Sequence, residues 1–501
     1  MRRAAWMCLA WTGLALGLAS SPGQAAYLPS AEVPPPVPRE FRAAWVASVY
    51  NLDWPSRPGL SPDAQRAELL ALLDRAAALH LNAILLQIRP ACDALYASPL
   101  EPWSPFLTGR MGEPPEPFID PLAFAVEEAH RRGLELHAWF NPYRAHTSSS
   151  GTPSRDHISR THPGLIRTYN GMKWLDPGHP ETIAHTRAVI LDVVRRYDID
   201  GVHIDDYFYP YPDKKKTPFP DGATYAAYQR GGGKLSRSEW RRENTNRMVQ
   251  TLHQAIKGEK PWVKFGISPF GIWKTNHPAG IKSGIDARED IFGDSLHWLK
   301  MGWLDYLAPQ LYWTIDKPEQ SFPRLLEWWR SQNSLQRHLW PGIATDRIGK
   351  DRNATEILRQ IGLTRRNAAP SAGHILWNFR PVMENRGGVG TRLKNEAYAG
   401  PALPPAYPWL GRATPGAPRL SAEHTPDGGW TFSWLTDPAG QSPPHRWVLQ
   451  YRLGGRWTTR LLPADIRRWT PERDAAPELL SLFAVDRNGN AGPATVLQAG
   501  P

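Results

Sequence analysis

Cysteine is nearly missing from this chain. Its 501 residues contain two, Cys8 and Cys92, and Cys8 sits inside an apolar N-terminal run. Neither an internal disulfide framework nor a cysteine-rich metal site can be assembled from them. Long apolar runs are missing as well, apart from "AAWMCLAWTGLALGLA" behind Arg2 and Arg3. A permanent membrane span needs about 20 such residues. This run is shorter and is followed by small residues, the pattern of a secretory signal with cleavage near Ala25 or Ala26. Residues 1–26 are therefore read as a signal peptide, with export expected and no transmembrane span in the mature chain. No glycine-rich dinucleotide fingerprint or phosphate loop follows a strand-like stretch, so no cofactor is expected. The formal charge of +11 is scattered, with no zinc-finger or RNP-like motif beside it. That argues against a nucleic-acid partner and for anionic surroundings such as an acidic cell-envelope polymer.

What the chain has in plenty is aromatic residues, including 23 tryptophans. They suffice for a large core with rings left over for a binding surface. The tract 27–40, "YLPSAEVPPPVPRE", reads as a stiff Pro-rich linker. From Phe41 a strand-helix unit repeats. Its strands are "FRAAWVASVY", "NAILLQIRP", "LELHAWF", "GVHIDDY", "WVKFGISPF", "YLAPQLYW", "LWPGIATD" and "GHILWNFRP". Capped, amphipathic helical stretches separate them, such as "SPDAQRAELLALLDRAAALH" and "PETIAHTRAVILDVVRRY". Eight such units are the count that closes a parallel (β/α)8 TIM barrel, assigned to residues 41–398. Residues 399–418, "AGPALPPAYPWLGRATPGAP", read as a second, Pro/Gly-rich linker. Residues 419–501 alternate apolar and polar positions between turns, as in a small β-sandwich, so the fold class is α/β with a C-terminal all-β module.

Strand exits of a parallel barrel point into one cleft, which places the acidic stretch "YDIDGVHIDDYFYPYPD". Asp198 and Asp200 lie where the fourth strand begins and are read as structural. Asp205 and Asp206 lie at its exit, where mutual repulsion raises a proton affinity and suits acid catalysis. Alternation sends His203 and Asp205 to one side and Asp206 to the other. The third strand brings His137, Trp139 and Asn141 on one parity, followed by Tyr143 and Arg144. An imidazole, an amide and a stacking ring together fit a sugar better than a nucleotide. Other exits contribute Gln87, Arg89 and Asp93 (second), Trp273 (fifth), Gln310, Tyr312 and Trp313 (sixth), Asp346 (seventh), and Trp377 and Asn378 (eighth). Glycoside hydrolysis normally uses two carboxyl groups about 5 to 9.5 Å apart. Asp205 is one candidate; Asp346 and Asp206 stand ahead of Asp93 or Glu101 as its partner. A metal set of His137, His203, Asp205 and Asp206 is the rival arrangement, and would make the chain a metal-dependent polysaccharide deacetylase or hydrolase. A non-catalytic wall-glycan-binding barrel is the other alternative.

On "FRAAWVASVYNLDWPS", "LNAILLQIRPACDALYASPLEPWSPFLTG", "GLELHAWFNPYRA", "WLDPGHPE", "GVHIDDYFYPYP", "GISPFGIWK", "YLAPQLYW" and "WNFRP", the chain resembles the glycosyl hydrolase-like 10 family from about Phe41 to Glu396. That resemblance implies a (β/α)8 barrel in the periplasm or cell envelope that cleaves peptidoglycan strands lacking stem peptides. Cell-wall glycan would be its substrate, and cell-envelope or divisome proteins its partners. The run from Asp200 to Asp205 is also similar, more distantly, to the fourth-strand motif of alpha-amylase-like barrels, whose final aspartate is the nucleophile; His203 replaces their usual arginine. The C-terminal part resembles a fibronectin type III module, with Trp434 and "LFAVDRNGNAG" as the matching pieces.

Overall fold

A computed structural model describes residues 27–368, 372–426, 428–472 and 476–500. The expected signal peptide, 1–26, lies outside them. The barrel strands are β1 (Phe41–Val46), β2 (Ala83–Arg89), β3 (Glu135–Phe140), β4 (Gly201–Ile204), β5 (Lys264–Ile267), β6 (Tyr306–Leu307), β7 in two parts (His338–Leu339 and Gly342–Ala344) and β8 (Gly373–Trp377). All neighbours are parallel. Pro341 interrupts β7, whose first part pairs with β6 and whose second pairs with β8. Trp340 N donates to Leu307 O at 2.9 Å, Gly342 N to Pro309 O at 2.9 Å, and Ile375 N to Pro341 O at 3.1 Å. Those bonds carry the ladder across the break and close the sheet on itself.

Helix starts follow their caps. Ser61 accepts from Ala64 N with Pro62 in the first turn, Asp120 accepts from Leu122 N and Ala123 N, and Ser236 with Glu239 forms a reciprocal capping box. Even-numbered residues of β1, β2 and β4, such as Ala44, Ile84, Leu86, Val202 and Ile204, pack under the helices. Odd-numbered residues of β1, β2, β3 and β8 fill the barrel, namely Phe41, Ala43, Trp45, Leu85, Trp139 and Ile375, together with Tyr306 of β6. Large rings inside need small neighbours. A Cβ on Gly266 would lie 2.0 Å from the Tyr306 ring, and one on Gly201 would lie 2.5 Å from the His137 ring. Gly266→Ala is therefore expected to destabilise the fold by about 1–3 kcal/mol through overpacking. Gly258→Ala, at a helical site with nothing within 4 Å, should be neutral or slightly stabilising. Urea unfolding of the two variants checks this, and equal midpoints would refute it.

The C-terminal module has two antiparallel sheets. One contains Arg419–His424, Trp430–Leu435 and Arg468–Trp469; the other contains Arg446–Leu453, Arg456–Pro463, Leu479–Val485, Thr495–Ala499 and, at its edge, Tyr27–Pro29. Trp434, Trp447 and Leu482 are buried between them. Two expectations change here. The tract 27–40 starts as a strand of this module, with Tyr27 opposite Ala499, and Arg39 donates to Gly489 O at 2.7 Å. The tract 399–418 is packed, not extended in solvent. Leu403 and Tyr407 are buried, the Tyr407 ring lies 5.4 Å from Lys264 Nζ, and Trp409 Nε1 donates to Asp305 at 2.8 Å. The rings between the prolines had to be buried, and the amino-terminal end of the barrel offered a floor for them.

Asp198 and Asp200 belong to that same end. Asp200 accepts from Leu136 N at 2.9 Å and pairs with His130 at 2.8 Å and His445 at 3.4 Å, while Asp198 meets Arg487 at 2.6 Å. The first acidic pair thus fastens the barrel to the β module, far along β4 from the cleft.

Candidate active site

Asp205 follows the last residue of β4. Trp139 Nε1 donates to it at 3.1 Å, Asn141 Nδ2 reaches both of its oxygens at 3.1 Å, and Tyr207 N donates at 3.3 Å. Asn141 is itself fixed, because its Oδ1 accepts from Tyr143 N at 3.3 Å and Arg144 N at 2.7 Å. Burial pushes the Asp205 carboxyl up to about 6; the nearby Arg144 charge opposes that rise and Asp206 adds to it.

Asp206 is also buried in the mouth. It accepts from the Tyr211 hydroxyl and from the Gln310 side chain, and burial raises its proton affinity too. Strand alternation predicts the opposite side for it. The difference arises because the ladder stops at Ile204, so the pleat no longer dictates where the next side chains go. Arg144 lies 4.2 Å from the Tyr207 ring and 5.9 Å from that of Trp174, and its charge reaches both aspartates.

The floor is aromatic. The Trp377 ring is 6.0 Å from both Trp45 and Trp139, and Tyr312 stacks on it at 6.2 Å. Asp346, in the turn Thr345–Arg347 after β7, lines a separate hollow of about 580 Å³ with Tyr312, Trp313, Arg352 and Trp377. Its Oδ1 is buried without a hydrogen-bond partner. Burial raises its carboxyl above the usual range, against the pull of Lys350, Arg347 and Arg352. Tyr312 senses the charges of both Asp206 and Asp346.

Several residues expected to touch substrate do something else. His137 and His203 are inside the barrel, below the mouth. Trp45 Nε1 donates to His203 Nε2 at 3.0 Å, and Ser268 Oγ lies 3.1 Å from the same nitrogen. His203 Nδ1 meets the Tyr306 hydroxyl at 3.0 Å; that hydroxyl meets His137 Nδ1 at 2.9 Å, and His137 Nε2 meets Glu135 at 3.2 Å. Burial and the His137 charge hold His203 well below the ordinary imidazole range, and hence neutral. With the nitrogens of both rings committed along this column, His137, His203, Asp205 and Asp206 do not converge on one metal. Among the described residues no group of three or more His, Cys, Asp or Glu is placed to hold one.

Gln87 Oε1 caps the β1 exit, accepting from Ser48 N at 3.1 Å and Val49 N at 3.0 Å. Arg89 is wholly buried against Glu101 at 2.5 Å and donates to Asn141 O at 2.5 Å, so it shapes the β3 exit from behind. Glu101 also holds His185 at 2.8 Å, and Asp93 is held by Ala91 N and Ser104 Oγ, each at 2.8 Å. The Tyr143 ring is core. Trp273 stacks on Trp328 at 6.0 Å and donates to Asp294 at 2.9 Å. The Asn378 side chain bonds Asp53, whose carboxyl is pushed up to about 6 by burial. Trp313 packs edge-on to Phe270 at 5.7 Å and lines the Asp346 hollow. Residues overlooked in the sequence are Tyr306, Glu135 and Lys264, which carry the inner column. The signal for two of them was charge on inward parity at the start of strands.

A closed parallel barrel whose mouth holds buried carboxylates over a floor of rings defines the class: a (β/α)8-barrel glycosidase. Residues 40–357 match the glycosyl hydrolase-like 10 profile, and the chain belongs to that family. It is 40% identical over 439 residues to the glycosyl hydrolase YngK of Bacillus subtilis, covering 85% of each chain. It is 34% identical over 357 residues to the glycosyl hydrolase DigH of Escherichia coli, covering 66% of this chain and 80% of that one. Among solved structures, the glycoside hydrolase domain of PgaB (BpsB) from Bordetella bronchiseptica aligns with 71% of this chain and 98% of its own, with TM-score 0.48 and 16% identity. No helix among the described residues is long and apolar enough to cross a membrane.

Proposed function

We propose that this glycosidase is exported to the periplasm or cell envelope and cleaves glycosidic bonds in peptidoglycan strands, preferring those stripped of stem peptides. The observation that carries the reading is the pair Asp205–Asp206, two consecutive buried carboxylates with raised proton affinity over a floor of Trp139, Trp377 and Tyr312. Such a floor suits the apolar faces of linked sugar rings. Asn141, Arg144, Gln310 and Tyr312 surround the pair and would position the sugar. Asp346, with Trp313, would meet the glycan beyond the Tyr312–Trp377 stack. The charge of +11 suits attraction to an anionic wall polymer, and the N-terminal composition suits export.

Incubation of the mature protein with peptide-free and peptide-bearing strands, followed by mass analysis of new reducing ends, tests this. New ends are expected chiefly from peptide-free strands. Binding without cleavage would favour a wall-binding protein instead. The pH profile carries a sign. One proton must stay on the pair for acid catalysis, and burial raises the proton affinity of Asp206 above the ordinary carboxyl range, so the proton is kept where a free carboxyl has lost it and is lost as pH rises further. Turnover should therefore fall toward alkaline pH, and a rate that climbs steadily toward about pH 8 would contradict acid catalysis by this pair.

A further inference from the structure

The two aspartates are consecutive, and their carboxylates enter the mouth from one strand end. The charge of Arg144 reaches both, and Asp206 raises the proton affinity of Asp205, so the two groups would meet a bound sugar together. A direct displacement needs a carboxylate on the opposite side of the anomeric carbon from the acid. Among the described residues, the other carboxylates at the strand exits are held by neighbours, apart from Asp346. Asp53 is taken by Ala47 N, Arg380 N and Asn378; Asp93 by Ala91 N and Ser104; Glu101 by Arg89 and His185. Asp346 opens into a hollow that neither Asp205 nor Asp206 lines, beyond the stacked rings of Tyr312 and Trp377.

Two further features point to what replaces it. Asp205 is held by Trp139, Asn141 and Tyr207 N, all donors, which favour its ionised form against the burial that raises its proton affinity. Beside it, the indole N–H groups of Trp45 and Trp139 are already spent on His203 and Asp205. Trp45 and Trp139 are buried, so it is the half-buried Trp377 ring packed on them that presents apolar surface, suited to a methyl group.

Resting on the glycosidase reading of this mouth, we infer that the nucleophile is the substrate's own 2-acetamido group, oriented by Asp205, with Asp206 as the proton donor. The acetamido carbonyl oxygen bonds to C1 as the bond from C1 to the glycosidic oxygen breaks. Asp206 gives its proton to that leaving oxygen, and Asp205 stabilises the N–H of the resulting oxazolinium ion. Water then attacks C1 and passes a proton to the Asp206 carboxylate; the bond from C1 to the acetamido oxygen breaks and the amide is restored. One water is consumed, C1 keeps its configuration, and no enzyme ester forms.

The test compares N-acetylated glycan strands with the same strands de-N-acetylated at C2. The acetylated strands should be cut with retention, the de-N-acetylated ones at least about 10³-fold more slowly, and a sugar thiazoline mimicking the oxazoline should inhibit. Asp206→Asn should lose far more activity on strands than on an aryl 2-acetamido glycoside, whose leaving group needs no proton, whereas Asp205→Asn should lose both. Similar rates on both kinds of strand, inversion at C1, or a glycosyl ester trapped on Asp346 would overturn this inference alone. Absence of cleavage of either strand would overturn the glycosidase reading and this inference with it.

Discussion

Asp205→Asn is expected to lower kcat on glycan strands by at least about 10³-fold while leaving strand binding within a few-fold of the parent. Asparagine keeps the shape of the side chain and one acceptor oxygen, so Trp139 and Asn141 retain a partner. What disappears is the negative charge at the point where positive charge develops in the reacting sugar. In the proposed mechanism Asp206 holds the proton, and the neighbouring charge of Arg144 has the wrong sign to replace it. Stopped assays of reducing ends, with binding measured on the same strands and circular dichroism to confirm the fold, decide the matter. Unchanged turnover would remove Asp205 from the mechanism.

The second large effect is on stability. Arg89 and Glu101 are an ion pair with 0% and 1% side-chain exposure, and Glu101→Gln would leave the guanidinium buried and under-compensated. A loss of about 3–5 kcal/mol is expected, since breaking one partner of a buried pair exposes the full desolvation cost of the other. The activity of the folded fraction should fall as well. Arg89 also holds Asn141 O and Pro142 O, and Asn141 is the group that positions Asp205. The pH dependence has a definite direction. Despite burial, Arg89 and His185 draw the Glu101 carboxyl down from 4.5 to about 2. Its contribution is therefore present above about 4.5 and lost as pH falls toward about 2. Urea unfolding at neutral pH checks the magnitude, and a change under about 1 kcal/mol would show that the pair contributes little.

The candidate site was partly legible in the residues. Parity along β3 and β4 correctly put Trp139, Asn141 and Asp205 on one side, because alternation is a local property of an extended chain. Parity also turned His137 and His203 inward, but it gives no depth, and both lie beneath the mouth. Depth inside a barrel depends on stagger between strands, and His137 opposite Gly201 is a register that neither segment specifies alone. Arg89 was misread for a related reason. It belongs to an exit in sequence, but its charge is consumed by Glu101, which returns from a loop twelve residues later.

Left to itself, the amino-acid order determined the eight strand-helix units, their caps and the aspartate at the fourth exit. Each of these follows from composition, periodicity or one short motif. Only the tertiary structure decided that Asp206 shares the mouth with Asp205, that the supposed linker floors the barrel, and that Tyr27 pairs with a strand about 470 residues away. Those outcomes turn on which surfaces meet once the sheet closes. Burial, stagger and the end of a hydrogen-bond ladder are properties of the assembled chain, and no local window of residues contains them.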